Sequence, residues 1–172
     1  MGQSNEAEFL AAYETHADAL FRHCLLRVRD RDVARDIVQE AFTKTWVYIS
    51  EGKHVEHMRA FLYRVTNNLI VDGARRKRSV SLETMMEDGF EPEDDTVKDP
   101  TDIPASREAV AMLRELDEIY RTAITMRYFD ELSPREIAMA LGVSENVVSV
   151  RIHRGIEKLT KMMARQSPRH LQ

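Results

Sequence analysis

Apolar residues in this chain recur mostly at three- and four-residue steps, the spacing that places them on one side of a helix. In the first stretch Phe9, Leu10, Tyr13, Ala17, Leu20, Phe21, Cys24, Leu25 and Val28 follow that rule and predict one amphipathic helix. A second helix is predicted after Asp30, with Val33, Ala34, Ile37, Val38, Ala41, Phe42 and Trp46 inward. That leaves Arg35, Asp36, Gln39, Glu40, Thr43 and Lys44 along its other face, where simple solvation would account for them. A break at Ser50-Glu51-Gly52-Lys53-His54 precedes a third helix, with Phe61, Leu62, Val65, Leu69 and Ile70 inward. Its polar face carries Arg64, Asn68, Asp72, Arg75 and Arg76.

After a long stretch poor in large apolar residues, Val110, Leu113, Leu116, Ile119, Tyr120, Ala123 and Ile124 predict one or two further helices closing near Phe129-Asp130-Glu131. The sharpest local signal comes next. Ser133-Pro134-Arg135-Glu136 has the form of a capping box with Pro at the first helical position, opening a short helix from Pro134 to Leu141. Gly142 suits a left-handed turn, and Ser144 caps a last helix with Val148, Ile152, Gly155 and Leu159 inward. A short helix, a glycine turn and a capped second helix describe a helix-turn-helix. Its outward face would hold Asn146, Val147, Arg151, Arg154 and Lys158. A hairpin used only for packing would not need that basic face.

Composition narrows the class. The 172 residues are 43% hydrophobic and 31% charged, as in a soluble globular protein of one domain or two small ones. The longest run without a charged side chain, Ile137 to Ser144, is far shorter than the ~20 apolar residues of a membrane span, and no signal peptide is visible. No membrane insertion and a cytoplasmic location are therefore expected. The lone Cys24 cannot form an intrachain disulfide and reads as a small buried thiol. His54 with His57, or His16 with His23 and Cys24, are weak metal candidates, and no phosphate-binding glycine loop or nucleophile-base pair is present. An enzyme is not expected, nor a metal or other cofactor.

The formal charge of −4 argues at first against a nucleic-acid partner, but the charge is segregated. Residues 59–78 carry a net +5, residues 80–106 a net −8 and residues 121–165 a net +3. The acidic middle also holds Pro92, Pro100, Pro104 and Gly89, and it has too little apolar surface to offset the entropy of ordering. The expected architecture is all-α, with two small helical domains (1–79 and 107–172) joined by a flexible acidic linker (80–106). The C-terminal domain contains the helix-turn-helix. Arg64, Asn68, Asp72, Arg75 and Arg76 could track a phosphate backbone and reach base edges. They equally fit a basic, solvated helix end that complements the dipole, and periodicity does not choose between the two.

Taken in order, four strings resemble the sigma factors of bacterial RNA polymerase of the extracytoplasmic-function (ECF) group, which have sigma-70 regions 2 and 4 only. They are Asp36-Ile-Val-Gln-Glu40-Ala-Phe42 followed by Trp46; Phe61-Leu-Tyr-Arg-Val-Thr-Asn-Asn68-Leu-Ile-Val-Asp72 with the Arg run after it; Leu132-Ser-Pro-Arg-Glu-Ile-Ala138; and Arg151-Ile-His-Arg154. The resemblance implies a subunit that binds core RNA polymerase and directs it to promoter DNA. Asp36, Gln39 and Glu40 would face the clamp helices of the largest subunit. The loop from about Ser50 to Met58 would capture an unstacked base of the −10 element, beside Arg64, Asn68, Asp72, Arg75 and Arg76. Asn146, Val147, Ser149, Arg151, Arg154 and Lys158 would meet the −35 element, with the apolar surface of region 4 on the flap of the second-largest subunit. An anti-sigma factor would hold the protein inactive. Where such proteins commonly have Thr-Val-Lys-Ser-Arg, this chain has Val147-Val148-Ser149-Val150-Arg151, lacking a hydroxyl and a Lys. A self-sufficient helix-turn-helix repressor or activator is the alternative, and it would bind duplex DNA without polymerase.

Overall fold

The computed structural model describes residues 2–84 and 107–166, and all the regular structure among them is helical. The helices are α1 (Gly2–Val28), α2 (Arg31–Ser50), α3 (Met58–Thr84), α4 (Arg107–Glu115), α5 (Glu118–Ile124), α6 (Pro134–Leu141) and α7 (Glu145–Gln166). They fall into two compact units, α1–α3 and α4–α7.

In the first unit α1 ends on Arg29, whose φ of 60° lies in the left-handed region, and Asp30 then turns the chain into α2. The Asp30 carboxylate accepts hydrogen bonds from the backbone N–H groups of Asp32 and Val33, both at 2.9 Å. Two of the four otherwise unpaired donors at that helix start are thereby satisfied. Packing of the three helices buries Leu20, Cys24, Leu25, Ala34, Val38, Ala41, Phe42, Ile49, Leu62, Tyr63 and Ile70. Thr45 is also buried, its hydroxyl donating to the Ala41 carbonyl at 2.8 Å. Gly52, at φ 81°, reverses the chain after α2, and the buried Val55 pins the loop that leads to α3.

Two features differ from the periodicity reading. Helix α1 begins at Gly2, well before Phe9, and α3 runs to Thr84, across the expected domain edge after residue 79. Neither Gly nor Pro interrupts α3 between Gly73 and Thr84. The remainder of the acidic segment, 85–106, lies outside the described residues. Leu10, Tyr13, Val33 and Trp46 fit the apolar stripes by type, yet Leu10 is 53% exposed and Trp46 37%.

In the second unit the predicted "one or two" helices are α4 and α5, and α5 continues through a wider π-type turn, Thr125–Phe129. Its close is made by Asp130 N–H on Thr125 O at 3.1 Å and Leu132 N–H on Met126 O at 2.9 Å. Leu113, Leu116, Ile124, Met126, Leu132, Ile137 and Val148 are buried here.

Candidate nucleic-acid interface

The helix-turn-helix forms as its sequence signals require. Ser133 Oγ accepts from Glu136 N–H at 3.2 Å, and the Glu136 carboxylate accepts from Ser133 N–H at 2.8 Å, so both members of the capping box are made. Pro134 occupies the first turn of α6. Gly142 takes φ 65° and ψ 36°, a conformation that disfavours any side chain with a Cβ. Ser144 Oγ then accepts from Val147 N–H at 3.3 Å and starts α7.

Helix α7 is fixed by its inward line. Val148 and Gly155 are buried, with Ile152 and Leu159 half-buried beside them. A Cβ built on Gly155 would lie 2.5 Å from Ile124 Cδ1 and 3.3 Å from Tyr120 Cβ, so glycine is what lets α7 approach α5 this closely. With 3.6 residues per turn, Asn146, Val150, His153 and Glu157 then share one outward meridian, spread over about 60°, with Arg154 next to it. All five are exposed.

The other sequence candidates on α7 sit differently. Val147 and Ser149 are exposed on its flanks, and the Ser149 hydroxyl donates to Glu145 O at 3.0 Å. Arg151 is half-buried. Lys158 reaches back to α5, its Nζ 2.7 Å from Asp117 Oδ2 and 4.9 Å from the centre of the Tyr120 ring. The hydrogen bond to Asp117 raises its pKa above the usual lysine value, outweighing a small loss of hydration. His153, which is not among the sequence candidates because a charge count treats it as neutral, shares the exposed outward line. Its Nε2 lies 3.8 Å from Glu157 Oε1.

On α3 the candidates are better gathered. Arg64, Asn68, Asp72, Arg75 and Arg76 are all exposed and fall within an arc of about 120°, opposite the buried Leu62, Tyr63, Thr66 and Ile70. Arg27 Nη1 donates to Asn67 Oδ1 at 3.3 Å, tying α1 to the neighbouring edge of α3. In the loop before α3, Lys53 pairs with Glu51 at 2.5 Å and lies 5.0 Å from the Tyr48 ring, which stacks at a tilt on Phe61. The Glu51 carboxylate raises the Lys53 pKa. His54 and His57 are exposed in this loop, while His23 and Cys24 are buried in the core. Among the described residues no three His, Cys, Asp or Glu side chains are grouped to hold a metal.

Asp36, Gln39 and Glu40 are exposed on α2, with Glu40 3.4 Å from Lys44. Gln39 borders an open groove of about 780 Å³ between α1 and α2, walled by Phe9, Tyr13, Phe42 and Trp46. Ring centroids are 5.1 Å apart for Phe9 and Trp46 and 4.7 Å for Tyr13 and Phe42. These aromatics are the ones a period of 3.6 turns inward by type. A second groove of about 320 Å³ opens in the other unit among Met112, Tyr128, Phe129, Ile156 and Met163.

Comparison with known proteins gives the family. The Sigma-70 region 2 family matches residues 12–80 and the Sigma-70 region 4 family matches residues 106–159, most of the chain between them. Similar proteins include the ECF RNA polymerase sigma factor SigW of Bacillus subtilis, 28% identical over 94% of this chain and 91% of SigW. SigL of Mycobacterium tuberculosis, another ECF RNA polymerase sigma factor, is 29% identical over 87% of this chain and 85% of its own. The fold is shared with the sigma factor RpoE of Bartonella quintana, solved in complex with the anti-sigma factor NepR, at a TM-score of 0.72 and 18% identity over 91% of this chain and 97% of that one. It is also shared with CnrH, solved in complex with the cytosolic domain of CnrY, at a TM-score of 0.67 and 22% identity over 96% of each. The chain belongs to the sigma-70 family, as an ECF RNA polymerase sigma factor, and its function is promoter-directed transcription initiation. No helix among the described residues is long and apolar enough to cross a membrane.

Proposed function

We propose that this sigma factor works in the cytoplasm through two small modules, α1–α3 and α4–α7, that engage core RNA polymerase and promoter DNA together. Two contacts on one target raise affinity through effective concentration, so neither needs to be strong alone. The single observation that carries this reading is the pairing, within one chain, of an exposed polar line Asp36, Gln39 and Glu40 on α2 with an exposed basic face on α3 and with the exposed Arg154 beside the outward line of α7.

In this reading Asp36, Gln39 and Glu40 meet the clamp helices of the largest polymerase subunit, and the apolar groove of the second unit takes the flap of the second-largest. Arg64, Asn68, Asp72, Arg75 and Arg76 act at the −10 element, where backbone contacts offset the few kcal/mol needed to unstack a base. Helix α7 lies in the major groove at the −35 element, where Arg can donate two hydrogen bonds to a guanine edge. An anti-sigma factor acts by covering these surfaces. The chain contributes binding and positioning, and bond-making stays with the polymerase.

Run-off transcription with reconstituted holoenzyme tests the assignment. Core polymerase with this protein should initiate at a promoter selected from a randomised pool. Asp36→Arg combined with Glu40→Arg should abolish stimulation while leaving the helical circular dichroism unchanged. Tight, sequence-specific duplex binding without polymerase would favour the self-sufficient regulator.

A further inference from the structure

We propose that His153 is a proton-dependent DNA contact of α7, so that protonation of one imidazole strengthens promoter binding. The proposal rests on the reading that α7 enters the major groove, and its test separates the two.

His153 lies on the outward meridian with Asn146 and Val150, with the exposed Arg154 beside that line and the half-buried Arg151 further round on the same side. A helix seated in the groove by its outward face would bring this ring closer to DNA than Arg151 or Lys158, which lie more than about 100° round from the middle of that line. The side chain is 77% exposed, so no other element packs over it. The ionisable groups that face it come from α7 itself. One is Glu157, one turn on, with its Oε1 3.8 Å from His153 Nε2, and the other is the adjacent Arg154.

That setting gives the proton a consequence. Glu157 shares the outward line and would repel DNA phosphates, offsetting much of the gain from Arg154. Histidine is the side chain type that can exchange a neutral for a cationic form near physiological pH, so a proton on this ring would change the balance on this face. As imidazolium, His153 has two N–H donors: one can stay with Glu157 while the other is given to an acceptor on DNA, and both ring nitrogens then donate. The acceptor chemistry is a phosphate oxygen or the N7 or O6 edge of guanine, and the two sources predict different sequence dependence.

The test is equilibrium binding of the reconstituted holoenzyme to a 60-base-pair duplex selected from a randomised pool, from pH 8 to pH 6, alongside the same duplex with its −35 element scrambled. Wild type should bind about threefold to tenfold more tightly at pH 6, with a slope of log affinity against log salt steeper by about 0.9. His153→Gln should show a flat pH profile at the weak level and His153→Lys a flat profile at the tight level. Glu157→Gln should bind more tightly at pH 8 and gain less on acidification. An equal pH effect on both duplexes marks a phosphate contact, and an effect confined to the matched duplex marks a base edge. A wild-type profile that His153→Gln leaves unchanged would overturn the proposal. Loss of matched-over-mismatched preference in Arg154→Ala alongside such an unchanged profile would leave the groove reading standing. No preference in wild type would remove both.

Discussion

Helices α3 and α7 are the two long basic elements of this protein, and they hold their candidate DNA contacts in different ways. On α3 all five sequence candidates are exposed and share one arc opposite a buried apolar line. On α7 the six candidates scatter: Arg154 and Asn146 face outward, Ser149 bonds its own helix, Arg151 is half-buried and Lys158 is tied to Asp117. The candidates on α3 follow one another at helical steps, so spacing alone gathers them. Those on α7 follow one another by residue type, and type does not say which side of a helix a long cation is drawn to when a carboxylate lies across the interface. Each helix also has an internal glycine, and these too differ: the Cβ position is crowded at Gly155 and open at Gly73.

The largest expected effect comes from filling the crowded one. Gly155→Val would drive a branched side chain against Ile124 and Tyr120, and overpacking of this kind costs about 1 to 3 kcal/mol. Urea unfolding followed by circular dichroism should show the second unit melting early, while fluorescence of Trp46, the single tryptophan, should report an unchanged first unit. A shift in both would mean that the units do not fold independently. Next in size is Arg154→Ala, which should cost about 1 to 3 kcal/mol in preference for a matched over a scrambled −35 element. Arg151→Ala should cost less, because that side chain is half-buried and set round from the outward line. Reversed ranks in competition binding would show that α7 rolls when it meets DNA.

Much of this is legible in the sequence. The capping box at Ser133 and Glu136, the left-handed Gly142 and the polar line Asp36, Gln39 and Glu40 are local, so residue type and spacing dictate them. The aromatic groove is not. Phe9, Tyr13 and Trp46 satisfy the rule for inward positions, but three helices cannot cover the whole apolar side of α1 and α2. The excess remains as an open trough that periodicity counts as core. His153 escaped for another reason, since a formally neutral side chain adds nothing to a charge tally, and its place beside Glu157 depends on which side of α7 Gly155 turns inward.

A smaller effect, of opposite sign to that at Gly155, is expected at Gly73. Nothing lies within 4 Å of a Cβ built there, and the residue sits inside α3 without a left-handed backbone. Gly73→Ala should therefore raise the stability of the first unit by about 0.5 to 1 kcal/mol, through the lower entropy of the unfolded chain. The Trp46 transition should move to higher urea. A loss instead would mean that α3 needs to bend at this point.

The smallest effect should be that of removing Lys158, and it is the most direct test of why α7 differs from α3. A lysine that neutralises a DNA phosphate releases a counterion, so its loss makes log affinity less steep in log salt by about 0.9. A lysine held by Asp117 releases none. Lys158→Met keeps the aliphatic stem against Tyr120, so it should leave the salt slope of holoenzyme binding unchanged, while Arg75→Ala on α3 should make it shallower. The pair also has a pH signature. Because the folded protein raises the Lys158 pKa, the stabilisation is fully present below the ordinary lysine value and is lost as pH rises through the raised one. The unfolding midpoints of wild type and Lys158→Met should therefore differ at neutral pH and converge in strong alkali. A salt slope reduced in Lys158→Met as much as in Arg75→Ala would place this lysine on DNA, and the contrast between the two helices would then lie in Asp117 giving up its partner when α7 binds.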